Sequence, residues 1–166
     1  MATAPDLLAT TAEFTIRAMT EMDVGAVVAI ERGSYQFPWS EGIFRDCVRV
    51  GYVCRVVTFN NVIIAYSVMS VGAGESHILN LCVGADFRCL GVGKKLLNYM
   101  LERAAAAGMS EAFLEVRPTN TNAIRLYQSL GFQQIGVRRG YYQAAGGRED
   151  AAVFKLALRS GPLLNS

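Results

Sequence analysis

The chain reads as a mixed α/β domain, a sheet with helices on both faces, on three observations. Two runs rich in β-branched and aromatic residues, Tyr52 to Phe59 and Val62 to Val71, meet at Asn60-Asn61, the mark of a tight hairpin. The apolar run Ile78 to Val83 leads through a glycine-bearing segment into Val92 to Ala107. There Leu96, Leu97, Met100, Leu101 and Ala104 form one stripe at helical spacing, with Lys95, Asn98 and Glu102 opposite. A second strand-then-helix succession follows, Glu111 to Arg117 and then Asn120 to Gly131. In 166 residues this gives one domain with one core, set at 13–159, with loose tails expected at 1–12 and 160–166.

The remaining elements fall between these in order. Glu13 to Met19 reads as a first strand. Thr20, with Asp23 three residues on, is an N-cap for a helix through about Arg32. Pro38 makes Ser34 to Trp39 a loop, and Ser40 caps a short helix over Glu41 to Arg49. Gly72 to Gly74 turns the chain into a strand from about Ser76. Gly108 and Gly131 close their helices. Phe132 to Tyr142 and Ala151 to Leu158 are the last strands, around a Gly146-Gly147 turn that takes in Arg148, Glu149 and Asp150.

Composition removes several classes of function. Hydrophobic residues make up 52% and charged residues 18%, so the chain is globular rather than disordered. The net charge of +2, without a run of Lys or Arg, gives no footprint for direct nucleic-acid binding. Cys47, Cys54, Cys82 and Cys89 form no Cys-x-x-Cys, and His77 is the single histidine, so no metal site is expected. No apolar run approaches the roughly 20 residues that span a bilayer. Met1 to Ala12 does not read as a signal peptide, which makes the cytoplasm the expected compartment. Nothing in the sequence fixes an oligomeric state.

The segment Arg88-Cys89-Leu90-Gly91-Val92-Gly93-Lys94 carries the strongest chemical signal. Glycines at a helix start let an anion approach the backbone, and the first helical amides have no acceptor within the helix. Those amides and the helix dipole together favour phosphate. The spacing matches neither the six-residue dinucleotide fingerprint nor a Walker loop. Arg88-x-x-Gly91-x-Gly93 resembles instead the pyrophosphate motif of the GCN5-related N-acetyltransferases, which use acetyl-CoA and no metal. Leu114-Glu115-Val116-Arg117, then Asn120 to Phe132, resemble the second half of that family's core. Phe37-Pro38-Trp39-Ser40, Tyr141-Tyr142 and Gly147 to Ala151 look like one branch of it, the bacterial ribosomal-protein alanine N-acetyltransferases. The resemblance covers about Thr15 to Leu158. It implies a mostly antiparallel sheet of about seven strands, splayed between the fourth and fifth.

Acetyl transfer from a thioester to an amine needs a neutral amine, a stabilised carbonyl oxygen and a proton for the departing thiolate. Glu115 interrupts an apolar strand. By its residues alone it is either a structural partner of Arg117 on the same strand face or a base. The resemblance implies the base. Tyr127 sits on the core stripe of its helix with Ile124 and Leu130, an ordinary packing position. The resemblance makes it the proton donor to the coenzyme sulfur. Asn120 caps a helix, and the resemblance adds a contact to the coenzyme arm.

The resemblance further implies that Leu81, Cys82 and Val83 offer backbone groups to the pantetheine, with the Val83 amide polarising the acetyl carbonyl. Cys82 by itself reads as a small buried hydrophobe. Arg88, Cys89, Leu90, Gly91, Val92, Gly93 and Lys94 would hold the pyrophosphate, with Cys89 and Leu90 standing where many relatives carry a basic or polar residue. Phe37, Trp39, Tyr141 and Tyr142 are either core aromatics or walls of an acceptor groove. His77 receives no role. No cysteine stands at a motif position suited to a nucleophile, so direct attack in a ternary complex is expected. The implied acceptor is a protein N-terminus, the alanine of a small-subunit ribosomal protein. A lysine, a small-molecule amine or a non-catalytic acyl-CoA-binding role are the alternatives.

Overall fold

The computed structural model describes residues 14–159. Glu13 and both expected tails lie outside that range. The described chain divides into two compact units. One takes the residues up to Met69 together with Asn80–Met100; the other takes Ser70–Leu79 and Leu101 onward.

In the first unit, β1 (Phe14–Ala18) pairs antiparallel with β2 (Val53–Phe59), and β2 with β3 (Val62–Gly72). The β2–β3 turn is Asn60-Asn61, with φ of 52° and 65°. Two successive left-handed residues make the turn whose twist matches a hairpin, and asparagine adopts that conformation at small cost. A 3-10 turn, Glu21–Asp23, leads into α1 (Val24–Ser34). Asp23 Oδ2 accepts from the Thr20 amide at 2.8 Å and from its hydroxyl at 3.2 Å, while Arg17 holds both Asp23 oxygens. The Thr20 hydroxyl thus makes no bond to a helix amide; Asp23 holds the Thr20 amide instead, and the pair opens the 3-10 turn rather than the α-helix itself.

α1 buries Val24, Val27, Val28 and Glu31. The three valines are a helical stripe of ordinary kind, each contributing about 1.5–3 kcal/mol of burial. α2 (Glu41–Arg49) starts at Ser40, whose Oγ accepts from the Ile43 amide, and it buries Phe44 and Cys47. α3 (Val92–Ala106) begins in this unit and sends Leu96, Leu97 and Met100 into its core.

In the second unit, the first part of β4 (Glu75–Val83) pairs parallel with β5 (Glu111–Val116) from Glu75–Glu111 to Ile78–Leu114. The pairing runs over these four residues, and β4 itself continues to Val83. α4 (Thr121–Ser129) is capped by Asn120 Oδ1 on the Ala123 amide at 3.3 Å. Gly131, at φ 100°, ends the turn after it. β6 (Gln133–Ala144) and β7 (Gly147–Ala157) form an antiparallel hairpin, and β7 pairs antiparallel with β5. The strand order is β1-β2-β3-β4-β5-β7-β6.

The expected boundary that moves most is the start of the last strand, while the first α-helix runs on to Ser34 and β6 to Ala144. β7 begins at Gly147, so Arg148, Glu149 and Asp150 are strand residues and not a turn. Their charges suggested a loop, but each has a partner. Arg148 Nε donates to the Gly140 carbonyl at 2.7 Å, and Asp150 Oδ1 accepts from the Gly140 amide at 2.8 Å. Glu149 takes Arg117 at 2.8 Å. The two bonds to Gly140 cross the irregular stretch of register between Arg138 and Tyr142, where ladder pairs are missing. No helix among the described residues is long and apolar enough to cross a membrane.

Candidate active site

Within the first unit, the segment between β4 and α3 is shaped by two left-handed residues, Cys89 at φ 63° and Gly91 at φ 82°. The first helix bond back to this loop runs from the Lys95 amide to the Gly91 carbonyl at 3.1 Å. The amides of Gly91, Val92, Gly93 and Lys94 thus have no backbone acceptor among the described residues, the state that a helix start leaves for an anion. A Cβ built on Gly91 would meet open space. The cradle is thus open on the side where a phosphate would sit.

Arg88 stands beside the cradle differently from the expectation. Its Nε donates to the Val83 carbonyl and its Nη2 to Ser34 Oγ, both at 3.1 Å. The guanidinium ties the loop to the end of β4 and to α1, and the amides and the exposed Lys94 are left facing outward. Leu81 and Val83 are half-buried, and Cys82 is buried. The Leu81 carbonyl accepts from the Tyr35 hydroxyl at 3.3 Å.

The loop from Tyr35 to Ser40 is held from below by a residue that sequence reasoning passed over. Glu31 is 2% exposed, and its carboxylate is filled by three donors. The Tyr66 hydroxyl and Asn80 Nδ2 (3.0 Å) donate to Oε1, and the Trp39 amide donates to Oε2 at 2.9 Å. Burial first, then the neighbouring Cys82 and the Glu31 carboxylate, push the Tyr66 phenol far above its ordinary value, so it remains a donor. Trp39 leans on Phe44, ring centroids 5.2 Å apart, and Phe44 meets Tyr66 edge-on. Trp39 is therefore partly a core residue, while Phe37 remains exposed.

Within the second unit, the Glu115 side chain is 6% exposed. Its expected structural partner, Arg117, is taken elsewhere, by Glu149 and by the Tyr142 ring 4.4 Å below it. Glu115 Oε2 instead lies 3.0 Å from His77 Nε2 and 3.8 Å from Arg138 Nη1. The parallel register explains the first contact. His77 stands opposite Phe113, so Glu115, two residues on, is its diagonal neighbour on the same face. Nothing in the sequence gives that register, which is why His77 was left without a role.

Tyr141 and Tyr142 border this carboxylate. Burial first, then the Glu115 charge, push the Tyr141 phenol upward, and Arg138, 4.8 Å over its ring, opposes. The Tyr142 phenol is pushed up more strongly, by burial first, then by Tyr141, Glu115 and Tyr127. Glu115, Tyr127, Tyr141 and Tyr142 are thus one neighbourhood. Tyr127 is buried and meets Phe132 edge-on at 6.0 Å, so its packing role is real. Among the described residues no group of His, Cys, Asp and Glu could hold a metal ion.

The first unit thus presents an open anion cradle at a strand-to-helix turn, and the second a buried carboxylate bordered by tyrosines. The chain belongs to the acetyltransferase (GNAT) family, whose model matches residues 24–132. It is 34% identical over 144 residues to the ribosomal protein bS18-alanine N-acetyltransferase of Escherichia coli strain K12, covering 87% of this chain and 97% of that one. The enzyme of the same name from Haemophilus ducreyi is 35% identical over 144 residues, covering 86% and 99%. The crystal structure of the Escherichia coli ribosomal-protein-S18-alanine N-acetyltransferase superposes with a TM-score of 0.83 at 33% identity, over 90% of this chain and 96% of that one. Ard1 from Thermoplasma volcanium follows at 0.81 and 26%, over 89% and 99%.

Proposed function

We propose that this protein moves acetyl from acetyl-CoA to the N-terminal alanine of a small-subunit ribosomal protein, in the cytoplasm, by direct attack in a ternary complex. The observation that carries the reading is Glu115: a carboxylate 6% exposed, free of its sequence neighbour Arg117 and bordered by Tyr141 and Tyr142. Identity of 34% and 35% over nearly the whole length of the bS18-alanine enzymes supports the choice of acceptor.

Each residue then has a task. The amides of Gly91 to Lys94 take the pyrophosphate, with Lys94 adding charge and Arg88 fixing the loop. The backbone of Leu81 to Val83 lies along the pantetheine arm, and Asn120 meets it while capping α4. Glu115 takes the amine proton and Tyr127 returns one to the thiolate. Phe37, Trp39, Tyr141 and Tyr142 receive the first residues of the peptide. An α-amine has a pKa of about 7.7–8.0, so a fraction is neutral near pH 7 and one carboxylate suffices as base.

Mass spectrometry of peptides incubated with acetyl-CoA tests the reading. Acetyl on the α-amine of an alanine-first peptide is the expected product. Acetyl only on an internal lysine would replace it with the lysine reading, and coenzyme binding with no product on any amine would leave a non-catalytic binder.

A further inference from the structure

Tyr141 and Tyr142 are neighbours in β6, and neighbouring side chains of a regular strand point to opposite faces. These two do not separate. Their rings meet edge-on with centroids 4.8 Å apart, and both border Glu115. The register gives the cause. Arg138 stands opposite Ala151, and Tyr142 stands opposite Glu149. Arg139, Gly140 and Tyr141 of β6 thus face the single Asp150 of β7. Extra residues of this kind bend a strand and re-aim its side chains. The middle one, Gly140, has φ 59°, a left-handed conformation that glycine takes at least cost.

A bulge on an outer strand has to be held. β6 ends the strand order, so no described strand supports it from outside. β7 holds it with side chains instead. The Gly140 amide donates to Asp150 Oδ1 at 2.8 Å, and the Gly140 carbonyl accepts from Arg148 Nε at 2.7 Å. Both backbone groups of the bulge residue are met, and by charged partners, whose hydrogen bonds are the stronger kind. Glu149, between the two, holds the other tyrosine. Its oxygens accept from Arg117 Nη1 at 2.8 Å and Thr119 Oγ1 at 3.2 Å, and that Arg117 guanidinium lies 4.4 Å over the Tyr142 ring. Tyr142 is fixed by this strut, so the grip on Gly140 decides where Tyr141 points.

We propose that Arg148 and Asp150 are positioning residues for the acceptor: by clamping Gly140 they turn Tyr141 toward Tyr142 and Glu115, where the first residues of the peptide arrive. The inference rests on the reading of Tyr141 as a wall of the acceptor groove. Neither clamp residue touches the peptide in this account; each acts through the backbone of β6. Both are exposed, so their loss changes the stability of the fold little. What it changes is the direction of a ring that is itself 40% exposed and free to receive a ligand on its open side.

The test is steady-state kinetics with an alanine-first peptide on the double variant Arg148→Ala/Asp150→Ala. One positive and one negative charge leave together, so the net charge that a peptide meets is unchanged. The expected result is a rise in peptide KM of about 10-fold, the size of one lost anchor contact, with acetyl-CoA affinity by calorimetry and the melting temperature little changed. Asp150→Asn keeps an acceptor oxygen for the Gly140 amide and should lose far less. Tyr141→Ala should raise KM at least as much as the double variant does. Adding the two clamp substitutions to Tyr141→Ala should raise it no further, since residues that act through one group are not additive. If the double variant keeps the wild-type KM while Tyr141→Ala loses it, the clamp is overturned. If its loss adds in full to that of Tyr141→Ala, the clamp residues meet the peptide themselves, and the positioning role is likewise overturned. If Tyr141→Ala leaves KM unchanged, it is the acceptor reading of Tyr141 that falls, and the inference falls with it.

Discussion

At the scale of single residues, two buried glutamate side chains differ in how their oxygens are met. Glu31 is saturated by three donors, whereas Glu115 shares its oxygens with an imidazole and a distant guanidinium. Replacing Glu115 by Gln should keep its packing and lower kcat by about 10²–10⁴-fold, the usual contribution of a positioned base. Steady-state kinetics at pH 7 checks this, and activity near the wild-type level would make the residue structural. Replacing Glu31 by Ala leaves the Tyr66 hydroxyl, Asn80 Nδ2 and the Trp39 amide without their acceptor. Each orphaned buried group costs about 1–3 kcal/mol, so urea unfolding should show a loss of roughly 3 kcal/mol or more. Glu115 stood out in the sequence because it breaks an apolar strand. Glu31, in Ala29-Ile30-Glu31-Arg32, looked like any solvated helix charge. Its partners lie 8, 35 and 49 residues away, which no local pattern reveals.

At the scale of elements, caps and turns were legible because their chemistry is local. Ser40, Asn60-Asn61, Asn120 and Gly131 stand where the backbone needs a side-chain acceptor or a left-handed residue. The start of β7 was not legible, since Arg148, Glu149 and Asp150 become strand only through Gly140 and Arg117. The Arg17–Asp23 link at the first cap makes a pH prediction. The Arg17 hydrogen bond holds the Asp23 carboxyl below its ordinary range, so the folded chain binds this proton more weakly than the unfolded chain. Its contribution is present above about pH 4 and is lost as pH falls through the lower folded value. Asp23→Asn should therefore destabilise at pH 7 by about 1 kcal/mol, typical of a lost cap, and the difference from wild type should shrink on acidification. Thermal melts from pH 7 to pH 3 measure it. In the cradle, Gly91→Val should abolish acetyl-CoA binding by calorimetry, because a side chain enters the open space beside the amides. A left-handed valine also costs about 1–3 kcal/mol of strain, so a melt must accompany the titration. Undiminished binding by a folded variant would put the pyrophosphate elsewhere.

At the scale of the whole molecule, the class of fold and the order of its strands and helices were readable from period and punctuation. The parallel β4–β5 register and the pairing of β7 between β5 and β6 were not, since both join segments distant in sequence. What the whole chain does with an acceptor is the broadest prediction. A free alanine terminus should be acetylated far better than an internal lysine in a peptide with a blocked end. The two amines differ by roughly 2.5 pH units in pKa, more than a lone carboxylate readily closes. Trp39→Ala should raise the peptide KM more than it changes acetyl-CoA affinity, because the loop it anchors by backbone and ring would loosen. An unchanged peptide KM would place the acceptor away from that loop.

The distribution of thiols gives the protein a built-in reporter. Cys47, Cys54 and Cys82 are buried, and burial pushes the Cys54 thiol up to about 12; Cys89, at the mouth of the anion cradle, is the exposed one of the four. A maleimide dye or an aromatic disulfide should thus mark a single position on the folded wild-type chain, with the other three reacting only after denaturation. Because that position flanks the glycine turn, the labelling rate should give an optical readout of coenzyme occupancy, obtained without engineering a single residue. Saturating acetyl-CoA should slow the reaction at Cys89 and leave the unfolded-state stoichiometry untouched.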